Sequence, residues 1–178
     1  MKKAKWILAV AVVLGVFVNG SMAYAQTKQQ LRVVAGEVIV TELSEAEVAE
    51  LKTEMMQTGI GESAEIMQDT RAGSYTAYRY SQTFDFYDGD VRVARAVPEC
   101  IVWHYTDGKV HLYSRTMTAS SIQDYNIVKT YGQIVNTDGS LSYTSGDSVY
   151  ISSFVANWEY AIDFRATPTE QSFSCYAI

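Results

Sequence analysis

Residues 74–93 read SYTAYRYSQTFDFYDGDVRV. Thr76, Tyr78, Tyr80, Gln82, Phe84 and Phe86 fall on one side of a two-residue rhythm. Tyr75, Ala77, Arg79, Ser81, Thr83 and Asp85 fall on the other, more polar side. A strand projects successive side chains to opposite faces, so this alternation predicts a long, half-buried β-strand. Asp88-Gly89 supplies a two-residue turn that returns the chain as Val91-Arg92-Val93. Counting outward from that turn sets Phe86 against Val91, Asp85 against Arg92 and Phe84 against Val93. Apolar pairs then share one face and opposite charges meet on the other, as a stable hairpin requires.

The same signals recur downstream. Asp107-Gly108 marks a second turn, with Tyr105 set against Val110 and Trp103 against Leu112. Residues 122–135 are rich in strand formers, and Asp138-Gly139 marks a third turn whose flanks match only with a longer loop. Ser145-Gly146-Asp147 is a further turn signal. Phe154, Ala156, Trp158, Tyr160, Ile162 and Phe164 alternate with polar residues and predict a second long strand. Upstream, Val33 to Thr41 reads as a first strand. The one helix signal follows it. Ser44 and Glu47 form a capping box, Leu43 and Val48 have hydrophobic-staple spacing, and Gly59 is the expected stop. Val48, Leu51 and Met55 give that helix one apolar face. A short turn of helix is expected at 64–67. The fold class expected is mainly β: an antiparallel sandwich or small barrel of about eight strands with one N-terminal amphipathic helix.

The first 25 residues read differently. Lys2, Lys3 and Lys5 precede an apolar run from Trp6 to Val18, and Ala23-Tyr24-Ala25 ends the segment. That order predicts a cleavable export signal over 1–25, leaving 26–178 as a single secreted domain of bacterial type. The apolar run is shorter than the roughly 20 residues needed to cross a bilayer, and no membrane insertion is expected after processing. Cleavage lowers Lys+Arg from 14 to 11 and leaves Asp+Glu at 20, so the net charge moves from −6 to −9. Such an acidic chain repels nucleic-acid phosphates and anionic lipid heads. Cys100 and Cys175 are an even pair in a chain leaving the reducing cytosol. A bridge between them would close 76 residues and contribute roughly 4 kcal/mol on the loop-entropy model. Two buried free thiols are the other reading.

Catalytic motifs are absent: there is no P-loop, G-x-G-x-x-G, EF-hand, H-E-x-x-H or G-x-S-x-G. No cofactor is implied. The sharpest candidate is His104, which the second hairpin sets opposite His111. Facing imidazoles about 5 Å apart suit zinc or copper, although a third ligand is required. Tyrosine is abundant, with 13 in the chain. Tyr75, Tyr87, Tyr113 and Tyr143 are the four least committed to the core, and exposed rings stack on sugars or on protein. The sequence therefore points to a secreted, non-enzymatic binding or interaction module for carbohydrate or a surface protein. An envelope hydrolase or metal-binding protein using the two histidines is the alternative. Assembly through sheet edges is a third reading.

Overall fold

The computed structural model describes residues 30–58 and 74–178. The expected export signal, the stop at Gly59 and the short turn at 64–67 lie outside them. Strand β1 (Arg32–Glu42) leads into helix α1 (Glu45–Thr58). Strands β2 (Tyr75–Asp88), β3 (Val91–Tyr105) and β4 (Val110–Ser121) follow. Then come β5 (Asn126–Thr130), β6 (Gln133–Asn136), β7 (Ser142–Ser145), β8 (Ser148–Ser152), β9 (Asn157–Ala166) and β10 (Gln171–Ala177). One sheet runs β1-β2-β3-β4, and the other runs β5-β8-β9-β7-β6 with β10 on the free side of β9. All pairings are antiparallel, and Leu31–Ile178 forms one compact unit. Among the described residues the fold is mostly strand, in two antiparallel sheets with one helix, consistent with the expected antiparallel sandwich or small barrel, with ten strands in place of about eight.

The 74–93 stretch is the strand expected, and its apolar side is the inner one: Tyr80, Phe84 and Phe86 are buried. The register of its hairpin differs. Asp88 pairs with Val91, so Gly89 and Asp90 form the loop, and Gly89 takes the first loop position at φ +58. A bulge then sets Phe86 opposite Ala94 and Asp85 opposite Arg95, leaving Val93 as the extra residue. Arg95 grips Asp85 with two hydrogen bonds of 2.7 and 2.8 Å, and Arg92 stands 3.7 Å away. The charge match foreseen for Asp85 survives with a different arginine in the main role. The Arg95 hydrogen bonds hold the Asp85 carboxyl below its usual range.

The second hairpin also shifts. Tyr105 and Lys109 pair across a three-residue loop, Thr106-Asp107-Gly108, with Gly108 at φ +83. His104 now pairs with Val110, and Trp103 with His111. A one-residue slip turns every side chain to the other face. His104 and His111 therefore project from opposite faces of the sheet, and the facing pair expected from sequence does not form.

The second sheet is built on one long bent hairpin. β5 and β6 pair with β8 and β7 in a single continuous register, closed by the five-residue loop 137–141. The bend lies where Gly132 faces Gly146, and the chain continues straight on from β7 to β8. Ser145-Gly146-Asp147 is thus a kink in one arm and not a chain reversal. β7 and β8 lie end to end along one side of β9, and the Thr144 hydroxyl takes the Phe164 amide where that ladder breaks. The expected long strand from Phe154 begins only at Asn157. Residues 153–156 turn instead, because Ser152 already pairs with Asn157.

Two layers of core result. Between the sheets, Phe84, Phe86, Val102, Leu112 and Met117 meet Val149, Ile151, Ile162 and Phe164. On the outer side of the first sheet, Val48 and Leu51 of α1, with Leu43 just before the helix, cover Ala77, Ile101, Trp103 and Tyr113. The capping box is present: Glu47 accepts from the Ser44 amide at 2.8 Å and from the Ser44 hydroxyl at 2.7 Å. The side of β2 expected to be wet is dry at its start because this helix lies on it.

Candidate functional site

The residues singled out from sequence are scattered. His104 lies half-buried on the inner face, with Nε2 3.1 Å from the Tyr80 hydroxyl and Tyr78 edge-on to its ring. His111 lies on the outer face beside Trp103. The Asn136 amide is oriented by the Leu112 N–H, which donates to its Oδ1 at 2.9 Å. Asn136 Nδ2 must then donate to His111 Nε2, 3.2 Å away. Among the described residues no group of three or more His, Cys, Asp or Glu side chains converges as metal ligands do.

Tyr75 and Tyr113 stack on either side of Trp103, at 4.5 and 4.3 Å between ring centroids. Lys52 of α1 reaches over Tyr75 and Trp103 and donates to the Tyr75 hydroxyl at 2.8 Å. Tyr87 lies under the Arg32 guanidinium near the opposite end of the sheet, and Tyr143 is on β7 in the other sheet. The four tyrosines do not make one strip. Cys100 and Cys175 are free thiols, so the bridge expected as one reading is not formed. Burial, reinforced by the nearby Asp147 carboxylate, pushes the Cys100 thiol up. Cys175 is pushed up to about 12 by burial. A thiol kept protonated is a poor nucleophile and a poor metal ligand.

The His104 environment has a measurable consequence. Burial lowers its pKa, so the unfolded chain takes up a proton before the folded one does. Stability therefore falls as pH drops below about 6.5, where unfolded histidine begins to charge. Urea midpoints at about pH 7.5 and about pH 5.5 should differ more in the native chain than in His104→Gln. Equal pH slopes in the two proteins would sink this assignment.

Two clusters were not visible in the sequence. Inside, Arg115 reaches from β4 to Asp147 at the kink, 2.8 Å from Nε to Oδ2. Gly132 completes this cluster: its N–H donates to Asp147 at 2.8 Å and its carbonyl accepts from Arg115 at 2.6 Å. Burial pushes the Asp147 carboxyl up, against the Gly132 amide and the Arg115 charge. The pair ties the two sheets and is shielded from any substrate.

The second cluster is at the pole where the β2–β3, β4–β5 and β8–β9 loops meet. Ser153 closes the β8–β9 turn: its N–H donates to the Ala156 carbonyl at 2.8 Å, and its hydroxyl accepts from the Val155 and Ala156 amides. Phe154 and Val155 stand at the tip, each 93% exposed. Beneath them Trp158 stacks on Tyr125, whose hydroxyl donates to Asp88 at 2.8 Å. The Ile122 amide donates to the Val93 carbonyl, so the β4–β5 loop is bonded to the first sheet. Ile122 and Val91 add exposed apolar surface, and Asp88, Asp90 and Asp124 add exposed carboxylates. The signal for the tip was present in Ser152-Ser153, two residues that favour turns. The alternation that starts at Phe154 masks it, because its first two members belong to the turn. Comparison with protein-family models, with curated proteins and with solved structures gave no match to this chain.

Proposed function

We propose that this chain is an exported, non-catalytic interaction module that seats its loop pole in an apolar pocket of another protein. The observation that carries this reading is the Phe154-Val155 tip. Single exposed apolar residues are ordinary, but two adjacent ones held at full exposure on a hydrogen-bonded turn are not. Burying each side chain is worth about 1.5–3 kcal/mol, enough to act as an anchor. Asp88, Asp90 and Asp124 around the tip favour a pocket rimmed by lysine and arginine and disfavour an anionic lipid surface. A sugar polymer is the weaker fit, since the tip offers a single exposed ring, Phe154, beside aliphatic Val155, and not a platform of several rings. Tyr75 and Tyr113 are engaged with Trp103, and Tyr87 with Arg32. The lysine-headed leader supports export.

The test is retention of the purified chain on the envelope of producing cells, before and after protease digestion of that envelope. Native protein should be retained, and the Phe154→Asp, Val155→Asp double variant should be retained at least about tenfold less, a loss of about 1.4 kcal/mol. Digestion should abolish retention. Binding that survives digestion, or that ignores the double substitution, sinks the proposal.

A further inference from the structure

We infer that the chain forms a two-fold dimer by pairing the second half of β1 with the same segment of a second copy. The two edges of the first sheet are treated differently. Along β4, side chains from the second sheet stand in for a missing strand. The Met117 amide donates to the Tyr131 hydroxyl at 2.9 Å, and Lys129 donates to the Met117 carbonyl at 2.7 Å. Asn136 satisfies both backbone groups of Leu112. β1, at the other edge, is eleven residues long and almost wholly exposed. Its protecting features, Glu37 and the bulge at Gly36-Glu37, lie before Val38, and the run from Val38 to Thr41 carries no charge and no proline. Its apolar run is open to solvent, with Ile39 62% and Val40 53% exposed and Val38 beside them. Val38 and Val40 turn to the inner side, beside Gln82 and Tyr80, yet stay 37% and 53% exposed.

The apolar run is complementary to itself, which fits a second copy, and charge selects the register. Pairing the whole strand with a second copy would centre on Glu37 and set two carboxylates against each other. Centring on Ile39 avoids this: Ile39 meets its twin, Val38 meets Val40, and Glu37 meets Thr41. The bulge at Gly36-Glu37 ends the pairing on each side. Because β4 is capped, the joined sheet cannot grow from its far edges, and a closed pair results. The segment lies at the end of β1 remote from the β2–β3 turn, so this pairing does not involve the loop pole.

Sedimentation equilibrium of the purified chain over a range of concentrations tests it. The native protein should show a dimer mass. Ile39→Lys replaces the apolar pair on the axis by two facing ammonium groups and should weaken the dimer by about tenfold or more. Its tryptophan fluorescence should stay native, reporting an intact fold. Ile39→Cys should form an intermolecular disulfide on mild oxidation, whereas Val91→Cys should not. A monomer mass for the native chain at every concentration would overturn the inference. So would a dimer that persists in Ile39→Lys, or one lost in Phe154→Ser instead.

Discussion

Asp147→Ala should lower the free energy of unfolding by about 3–5 kcal/mol, the range for removing one member of a buried ion pair. The carboxylate is 4% exposed, and its partner Arg115 is almost as enclosed. Deleting it leaves a guanidinium with no counter-charge between two sheets and orphans the Gly132 N–H. The penalty is the uncompensated charge and not the worth of the bond, because buried pairs contribute little net stability. The double variant Arg115→Met, Asp147→Leu should therefore recover much of the loss. Urea unfolding followed by tryptophan fluorescence reads both numbers. A loss under about 1 kcal/mol in the single variant, or a double variant no better than it, would refute this account.

The second large effect is at the residue Asp147 holds. A methyl group on Gly132 would collide with the Ser145 carbonyl oxygen and lie 2.8 Å from the Gly146 backbone. Both obstacles are backbone, so neither can swing away as a side chain would. Gly132→Ala must prise the bend apart and stretch the hydrogen bonds to Asp147 and Arg115. Overfilling a packed site costs about 1–3 kcal/mol, and this position belongs at or beyond the upper end. Gly36→Ala is the control. Its added carbon would meet Thr83 at 3.5 Å, an ordinary contact, and should cost less than about 1 kcal/mol. Similar midpoints for the two variants would sink the steric explanation. Asp147 and Gly132 touch, so their effects will not add.

The strands and the helix were legible because they rest on local rules. Tyr80, Phe84 and Phe86 announced a buried face by alternation alone, and Ser44 with Glu47 announced the helix start. Register was not legible. Asp107-Gly108 fits a two-residue turn and equally the last two positions of a three-residue loop, and only tertiary packing chooses between them. That single step decided the fate of the two-histidine site. Asp147 looked like a turn residue because its partner, Arg115, lies 32 positions earlier in the chain. Phe154 looked like core because a period of two carries no information about where a strand begins. The cysteines proved to be two separate small apolar side chains, the reading in which they act by shape.

The seam along β4 has a mechanical consequence. Leu112 and Met117 complete their main-chain bonding only through Asn136, Lys129 and Tyr131 of the opposite layer. Neither layer is self-sufficient on that flank. Pulling them apart would strand polar groups as well as uncover grease, so the two layers should melt together in one transition.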